Sequence, residues 1–293
     1  MMPLFVLAFD HRNSLRTSFL GLTGPPTPEQ TAQCVRLKDA VAEALLRAAA
    51  AGLGGAAGLL IDVEYGAAAA ARARDAGVTV AVPVEASGRR ELAWEYTPFE
   101  TPLVEVRPAY AKVLVRYNPT DDVEVNVRQR AKMLELQRWC GEHGMRFMVE
   151  LLVPPVGVAV AGYDDELRPE LTAQAVADLA DAGLRPGLWK LEGMPSTDAY
   201  AKIAAVVRSS RADAGCLVLG RGADPAAVDR WLQLAAPVEG FVGFAVGRTL
   251  WWQPLRDWID GALSREEAVE AIAGNYRRLC RVYVDAQAAV DAT

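Results

Sequence analysis

The stretch from residue 110 to residue 153 contains two strand-like runs with a helical pattern between them. The first run is Tyr110-Ala-Lys-Val-Leu-Val-Arg-Tyr117, the second is Arg146-Phe-Met-Val-Glu-Leu-Leu-Val153, and residues 123–143 carry apolar side chains at helical spacing. Short apolar runs bounded by turn residues are typical of buried strands. A strand, a helix and a second strand in this order predict a parallel βαβ unit.

The same unit recurs along the chain. Apolar runs of strand length predict eight strands, at about residues 4–9, 58–62, 78–84, 110–116, 146–152, 187–191, 215–219 and 240–246. Helical patterns separate most of these runs. Thr27-Pro-Glu-Gln30 is expected to cap the first long helix, and Ser264-Arg-Glu-Glu267 has the form of a capping box for the last helix, 264–287. Residues 83–108 show little clean helical periodicity.

Eight parallel strands in a chain of 293 residues favour an α/β fold with a single (β/α)8 TIM barrel, as one domain over residues 1–293. A doubly wound open sheet is the alternative. That fold normally has a glycine-rich nucleotide turn after its first strand. Here the first run ends in Asp10-His-Arg-Asn-Ser, and the next glycine is Gly21. We therefore predict the closed barrel.

The composition narrows the classes of partner. With 52% hydrophobic and 23% charged residues, the chain has enough apolar material for a large core. The net charge is −6 and the basic residues are scattered, which argues against nucleic acid or a membrane surface as partner. The N-terminal run becomes acidic too early for a signal peptide or a membrane span. The four cysteines lie far apart, so we expect free thiols in a reducing cytoplasm.

Lysine is rare in this chain, and two lysines interrupt apolar strands. Only five residues are lysine, compared with twenty-six arginines. Lys112 lies in the fourth strand and Lys190 in the sixth, and Glu150 interrupts the fifth strand in the same way. Arginine does not lose its proton, whereas a buried lysine can act as a nucleophile. We predict that these lysines carry chemistry; the alternative is that both close buried ion pairs.

The positions of Lys112, Glu150 and Lys190 predict amine chemistry. Barrel active sites lie at the carboxyl ends of the strands, so these three side chains are expected to converge. A second ammonium nearby lowers the pKa of a lysine, and burial lowers it further. An unprotonated amine can attack a ketone to form a Schiff base, whose iminium permits cleavage of the carbon–carbon bond beyond it. Glu150 is then the candidate proton carrier, although lysines at strand ends also serve as oxyanion or phosphate ligands.

Other polar residues at the strand ends predict substrate contacts. Gly220-Arg221-Gly222 and Gly247-Arg248 follow strands 7 and 8, where barrels of this kind often bind phosphate. Glycine lets backbone amides approach an anion, and arginine adds a bidentate donor. The alternative is that these glycines only make tight turns. Further substrate contacts are expected from Asp10, His11, Arg12, Asp62, Glu64, Arg116 and Glu192.

Metal chemistry has little support in the sequence. The chain has two histidines, and His143 precedes Gly144 at a predicted helix end, where capping is its expected role. No histidines and cysteines cluster as zinc ligands usually do. Magnesium held by Asp10, Asp62 or Glu64 is an alternative for which the sequence gives no support. We expect a reaction on a small phosphorylated sugar without a metal or another cofactor, and a homo-oligomer is compatible with the sequence.

Six segments resemble the class I tagatose-bisphosphate aldolase superfamily. They are Phe9-Asp10-His11-Arg12, Leu60-Ile-Asp62-Val-Glu64-Tyr65-Gly66, Lys112-Val-Leu-Val-Arg-Tyr117, Glu150-Leu-Leu, Trp189-Lys190-Leu-Glu192-Gly193 and Gly243-Phe-Ala-Val-Gly247-Arg248-Thr. More closely, and over essentially its whole length, the chain resembles the aldolase-like domain fused C-terminally to 5-dehydro-2-deoxygluconokinase in bacterial inositol catabolism.

The resemblance implies a metal-independent Schiff-base aldolase of carbohydrate metabolism. It implies that Lys190 is the Schiff-base lysine, Lys112 an auxiliary lysine and Glu150 the acid/base residue. It also implies that Arg248 binds phosphate. The fused relatives imply 5-dehydro-2-deoxygluconate 6-phosphate as the substrate, which would be cleaved to dihydroxyacetone phosphate and malonate semialdehyde.

One residue departs from the family pattern. Members often have a lysine directly after the glutamate of strand 3, whereas here Ala86 follows Glu85. A substrate contact from that loop is therefore not expected to match the family's. Two other functions stay open: a sugar-phosphate isomerase that uses Glu150 as its base, and a non-catalytic barrel that binds a sugar phosphate.

Overall fold

The fold is a closed barrel of parallel strands with helices outside it. The computed structural model describes residues 2–53 and 56–291, and in this part of the chain eight strands pair in sequence order, with β8 returning to β1. The strands are β1 Leu4–Phe9, β2 Ala57–Ile61, β3 Thr79–Pro83, β4 Tyr110–Arg116, β5 Arg146–Leu152, β6 Leu188–Glu192, β7 Gly215–Leu219 and β8 Phe241–Val246. The prediction of a (β/α)8 barrel is confirmed, and every strand end lies within one residue of its predicted position.

The helices follow the predicted order and carry the predicted caps. They are α1 Pro28–Ala48, α2 Val63–Asp75, α3 Thr101–Val106, α4 Val123–Glu142, α5 Tyr163–Glu166, α6 Arg168–Asp181, α7 Thr197–Ser210, α8 Pro225–Ala235, α9 Arg248–Ile259 and α10 Arg265–Asp291. The capping boxes at Thr27 and Ser264 both form. Helix α10 extends beyond its predicted end at residue 287. Residues 1, 54, 55, 292 and 293 of the predicted domain lie outside the described residues.

Three helices were not predicted. Helices α3 and α5 are six and four residues long, too short for an apolar period to be visible in the sequence. Helix α9 starts at Arg248, directly after β8, and contains Pro254. The Gly247-Arg248 pair therefore belongs to the amino end of a helix and not to an extended loop. No helix in residues 2–53 and 56–291 has the length and apolar character needed to cross a membrane.

The interior of the barrel has an apolar lower half and a charged upper half. A cluster of buried apolar side chains fills the amino-terminal half, formed by Leu4, Val6, Ala8, Leu60, Ala81, Tyr110, Met148, Leu188, Leu217 and Ala245. Successive side chains of a strand point to opposite faces, so the residue two positions further along points inward again. This places Lys112, Glu150 and Lys190 directly above the apolar cluster. The charged layer is thus closed off from water on its lower side.

Gly243 allows β8 to approach β1 closely. Its φ is +146°, and a Cβ built on it would lie 2.0 Å from the carbonyl oxygen of Leu4. The pairing register between β7 and β8 shifts at this level, as in a β-bulge. A side chain at position 243 would therefore push the strand pair that closes the barrel apart.

Substitution of Gly243 tests this closure. We expect Gly243→Ala to lower the free energy of unfolding by about 3 kcal/mol or more, since a Cβ meets backbone that cannot move aside. Gly274→Ala in α10 is the matched control, because a Cβ there meets nothing within 4 Å. Alanine is the better helix former, so this control should gain about 0.5–1 kcal/mol. Urea unfolding measures both, and wild-type stability in Gly243→Ala would contradict the prediction.

Candidate active site

A cavity of about 510 Å³ opens at the carboxyl ends of the strands. Residues that are far apart in the sequence line it. Thirteen of the fifteen predicted site residues line it: Asp10, His11, Arg12, Lys112, Arg116, Glu150, Lys190, Glu192, Gly220, Arg221, Gly222, Gly247 and Arg248. The two that do not are Asp62 and Glu64.

Lys112 is the centre of a buried charge cluster at the floor of this cavity. Its Nζ contacts one oxygen of each of three carboxylates: Asp10 Oδ2 at 2.8 Å, Glu85 Oε1 at 2.7 Å and Glu150 Oε2 at 2.7 Å. Burial alone would lower the pKa of Lys112, but the three carboxylates raise it well above its ordinary value. Lys112 therefore keeps its proton.

Lys190 has a different environment, although it is also buried. Its Nζ lies 2.8 Å from Glu150 Oε1, and no second carboxylate within the described residues pairs with it. An ammonium has three N–H donors, so Lys190 retains donors for a ligand in the cavity. The two lysines are thus chemically distinct: Lys112 is surrounded by negative charge, whereas Lys190 has one partner and faces the open space.

Glu150 joins the two lysines. It lies in register with Lys190 on the neighbouring strand, and its two oxygens contact one ammonium each. Burial would raise the pKa of Glu150, but the charges of Lys112 and Lys190 outweigh it and lower the pKa below its usual value. Glu150 is therefore an ionised carboxylate within proton-transfer distance of both amines.

The segment after β1 supplies three further residues of the cavity wall. Lys112 helps to hold the pKa of Asp10 far below its usual range despite burial. Burial lowers the pKa of His11 to about 4, although Asp10 acts in the opposite direction. The ring of His11 packs edge-on against Trp251. Arg12 is buried and donates to the carbonyl oxygen of Glu85 at 2.6 Å, so its role is to hold the loop after β3 in place.

Asp62 and Glu64 lie outside the cavity, which corrects the expectation that they contact a substrate. The chain turns from β2 directly into α2, and Asp62 caps that helix by accepting from the backbone N–H of Tyr65 at 2.9 Å. Its other oxygen lies 2.5 Å from Nζ of Lys38. Glu64 is exposed in the first turn of α2. Because α2 begins so soon after β2, both carboxylates lie on the outer side of the barrel.

The segments after β7 and β8 carry two arginines whose charges are compensated to different degrees. Arg221 pairs with Asp164 at 2.9 Å and with Glu192 at 3.2 Å, so its charge is already compensated. Arg248 donates from Nη2 to the carbonyl oxygen of Arg221 at 2.5 Å. No carboxylate of the described part of the chain pairs with Arg248. A Cβ on Gly222 would lie 2.5 Å from its guanidinium carbon, so the glycine makes room for this side chain.

Glu192 belongs to a buried network of hydrogen bonds and ion pairs at the carboxyl end of β6. Its Oε2 accepts from the backbone N–H of Val153 at 2.9 Å, and its Oε1 pairs with Arg221 and with the buried Arg168. Burial raises the pKa of Glu192 in spite of these partners. Glu192 lines the cavity, but its oxygens already have partners. It therefore shapes the wall and anchors the long segment after β5.

The predicted site lacked two residues that the structure brings to it or near it. Glu85 lines the cavity and contacts Lys112, and burial raises its pKa. Its position after β3 could have indicated this role, because Glu150 and Glu192 occupy similar strand ends. Lys38 lies on α1, behind the segment after β1. The sequence signal for its burial was the position of Lys38 on the apolar face of that helix. No three histidine, cysteine, aspartate or glutamate side chains within the described ranges are arranged to hold a metal ion.

Residues 1–287 match the family model DUF2090, which is described as an uncharacterized protein conserved in bacteria. The chain belongs to this family. A search of the curated proteins found no match.

Several solved structures have a fold similar to that of this DUF2090 protein. The protein Cgl0159 from Corynebacterium glutamicum is 21% identical with a TM-score of 0.60, and the alignment covers 97% of this chain and 86% of that one. A Schiff-base-forming fructose-1,6-bisphosphate aldolase is 15% identical with a TM-score of 0.57, and 93% of each chain is covered. Fructose-bisphosphate aldolase from Plasmodium falciparum is 11% identical with a TM-score of 0.63, covering 97% and 91%. At these identities the likeness concerns the barrel fold.

The neutral state of His11 predicts a pH dependence of stability. The unfolded chain binds a proton at His11 near pH 6.5, whereas the native protein does so only near pH 4. Between these values the unfolded state binds more protons, so stability falls as the pH falls. His11→Gln removes this contribution. As the pH falls through that window, the free energy of unfolding of the variant should rise relative to that of the wild type by at most about 1.4 kcal/mol per pH unit.

Urea unfolding of both proteins at several pH values measures the effect. Above about pH 7 the difference between them should be constant, because His11 is neutral in both states there. A difference that stays constant down to about pH 4 would mean that His11 titrates normally in the native protein.

Proposed function

We propose that this protein is a class I aldolase, which forms a Schiff base between Lys190 and the carbonyl carbon of a phosphorylated keto sugar or sugar acid. The observation that carries the proposal is the array Lys190–Glu150–Lys112, in which one ionised carboxylate lies 2.8 Å and 2.7 Å from two buried amines. A barrel that only bound a sugar phosphate would need no second buried amine. A Schiff-base-forming aldolase has the same barrel fold, but the fold alone does not specify a reaction, so the proposal depends on the side chains.

The environments of the two lysines support different roles for them. A nucleophilic amine must first lose its proton, and Lys112 is held in its charged form by three carboxylates. Lys190 can pass a proton to Glu150, and its lone pair then attacks the substrate carbonyl carbon. Loss of the carbonyl oxygen as water leaves an iminium. The pair of electrons from the breaking carbon–carbon bond moves into this iminium, which becomes an enamine, while the hydroxyl group on the departing carbon loses its proton to Glu150 and becomes the carbonyl of the first product. Protonation of the enamine carbon and addition of water to the resulting iminium then release the second product and restore the amine of Lys190.

Glu150 and Lys112 serve the proton transfers of this sequence. Glu150 takes a proton from Lys190 before the attack and a second one from the nitrogen after it, and it passes both in turn to the former carbonyl oxygen, which leaves as water. Lys112 remains positive throughout, so it keeps Glu150 ionised between turnovers and stabilises negative charge on a departing oxygen. No step requires a metal ion or an organic cofactor.

Arg248 is the proposed phosphate ligand. It faces the cavity from the amino end of α9, where backbone N–H groups also favour an anion, and no described carboxylate neutralises it. The sequence resemblance supports 5-dehydro-2-deoxygluconate 6-phosphate as the substrate, with dihydroxyacetone phosphate and malonate semialdehyde as products. This substrate would place the protein in cytoplasmic inositol catabolism.

Borohydride trapping tests the covalent step. With 5-dehydro-2-deoxygluconate 6-phosphate, or with dihydroxyacetone phosphate for the reverse direction, reduction should add the mass of the reduced adduct to the peptide that contains Lys190. An iminium is reduced in this way, whereas a hydrogen-bonded carbonyl leaves no label on the protein. Lys190→Met should remain unlabelled, and Lys202→Met, which changes an exposed lysine, should label like the wild type.

Three outcomes would change the proposal. Label on Lys112 would reverse the roles of the two lysines. Turnover without any label would indicate an isomerase-type reaction with Glu150 as a base. Loss of activity on exhaustive chelation, with recovery on adding zinc or magnesium, would indicate metal-assisted chemistry.

Substitution of Arg248 tests the phosphate site. Arg248→Ala should raise KM by roughly tenfold to a hundredfold, or about 1.5–3 kcal/mol, because a charge-assisted bidentate contact is lost. The value of kcat should change less, since the phosphate lies away from the bond that is cleaved. Gln253→Ala, an exposed change on the same helix, is the control. An unchanged KM in Arg248→Ala would favour an unphosphorylated substrate.

A further inference from the structure

A third lysine is buried just outside the cavity. Lys38 lies on α1 with no exposed surface, and its Nζ meets three acceptors: the carbonyl oxygen of Phe9, the carbonyl oxygen of His11 at 2.9 Å and Asp62 Oδ2 at 2.5 Å. An ammonium has three N–H donors, so this set uses all of them. The amine also lies 4.0 Å from the centroid of the Phe9 ring.

The two carbonyl groups flank Asp10. Backbone pairing of β1 with its neighbours ends at Phe9 on one side and at Leu7 on the other, so Asp10 lies beyond the ladder. The bonds from Lys38 fix the peptide groups around Asp10 from outside the barrel. With the backbone held in this way, the side chain of Asp10 points inward and places Oδ2 2.8 Å from Nζ of Lys112.

Asp62 extends this connection to the next strand. One of its oxygens pairs with Lys38 and the other caps α2. A single ammonium therefore joins the end of β1, the end of β2 and the start of α2. Lys38 also donates where arginine would fit poorly, because its compact charge reaches three acceptors around one atom.

We propose that Lys38 is a positioning residue, which holds Asp10 against Lys112 and so orients the Lys112–Glu150 pair without touching the substrate. Its kinetic consequence rests on the proposed aldolase function. The alternative is a purely structural role, in which Lys38 only fastens α1 to the barrel. The two roles differ in what happens once the stability lost with Lys38 has been restored.

A double substitution separates these roles. Lys38→Met alone leaves Asp62 as an unpaired buried charge, which can cost about 3–5 kcal/mol. Lys38→Met combined with Asp62→Asn removes both charges and leaves an oxygen to cap α2. We expect this double variant to regain most of the lost stability, while kcat stays about ten- to a hundredfold below wild type and KM changes less than about threefold.

Tyr276→Phe is the matched control. Its hydroxyl is buried and donates to the carbonyl oxygen of Phe5, on the same strand but at the end remote from the cavity. Its loss should lower the melting temperature and leave kcat within about twofold of wild type. A double variant that is stable and has wild-type kcat would overturn the positioning role.

A second measurement does not depend on any enzymatic activity. Brief acetylation with acetic anhydride, followed by mass spectrometry of the full-length protein's peptides, reports the reactivity of Lys112. Release of Asp10 should raise the modification of Lys112 about fivefold or more in the double variant, since a carboxylate no longer covers the amine. Tyr276→Phe should leave the modification of Lys112 unchanged. If Lys38 were only structural, the double variant would also leave it unchanged.

The two readouts also separate this inference from the proposed function. Raised Lys112 reactivity in a protein that shows no borohydride adduct with either substrate would support the positioning contact and reject the aldolase. A trapped adduct together with unchanged Lys112 reactivity and kcat in the double variant would support the aldolase and reject the role of Lys38.

Discussion

One buried ammonium surrounded by three carboxylates holds the mouth of this barrel together. Asp10, Glu85 and Glu150 follow or belong to three different strands, and all three contact Lys112 on a fourth. Each of these charges alone would cost several kcal/mol to bury, so they are stable there only as a set. The cluster therefore determines how the ends of β1, β3, β4 and β5 lie relative to one another.

The same cluster makes the two strand lysines unequal. Three carboxylates surround Lys112, which keeps its proton, whereas Lys190 faces the cavity and pairs with Glu150 alone among the carboxylates of the described residues. In the proposed reaction, Lys112 supplies a lasting positive charge and Lys190 the nucleophile. The difference arises from the number of carboxylates within reach of each nitrogen, because both lysines are buried to a similar extent.

The arrangement continues outward from the cavity floor. Lys38 and Asp62 support the segment that carries Asp10, and Arg12 supports the loop that carries Glu85. On the opposite side, Arg221 is neutralised by Asp164 and Glu192, whereas Arg248 lines the cavity and pairs with no carboxylate of the described residues. Barrel folds host many chemistries, so the proposed reaction depends on these side chains and not on the backbone likeness to aldolases.

The sequence by itself determined the strands to within one residue, both capping boxes and, for thirteen of the fifteen predicted site residues, a position at the cavity, because alternation and turn residues are local properties. Only the tertiary structure decided the outward direction of Asp62, the helix that begins at Arg248 and the partner of Lys38. It also decided the raised pKa of Lys112. That shift depends on carboxylates at positions 10, 85 and 150, which come within 3 Å of one nitrogen only when the barrel closes.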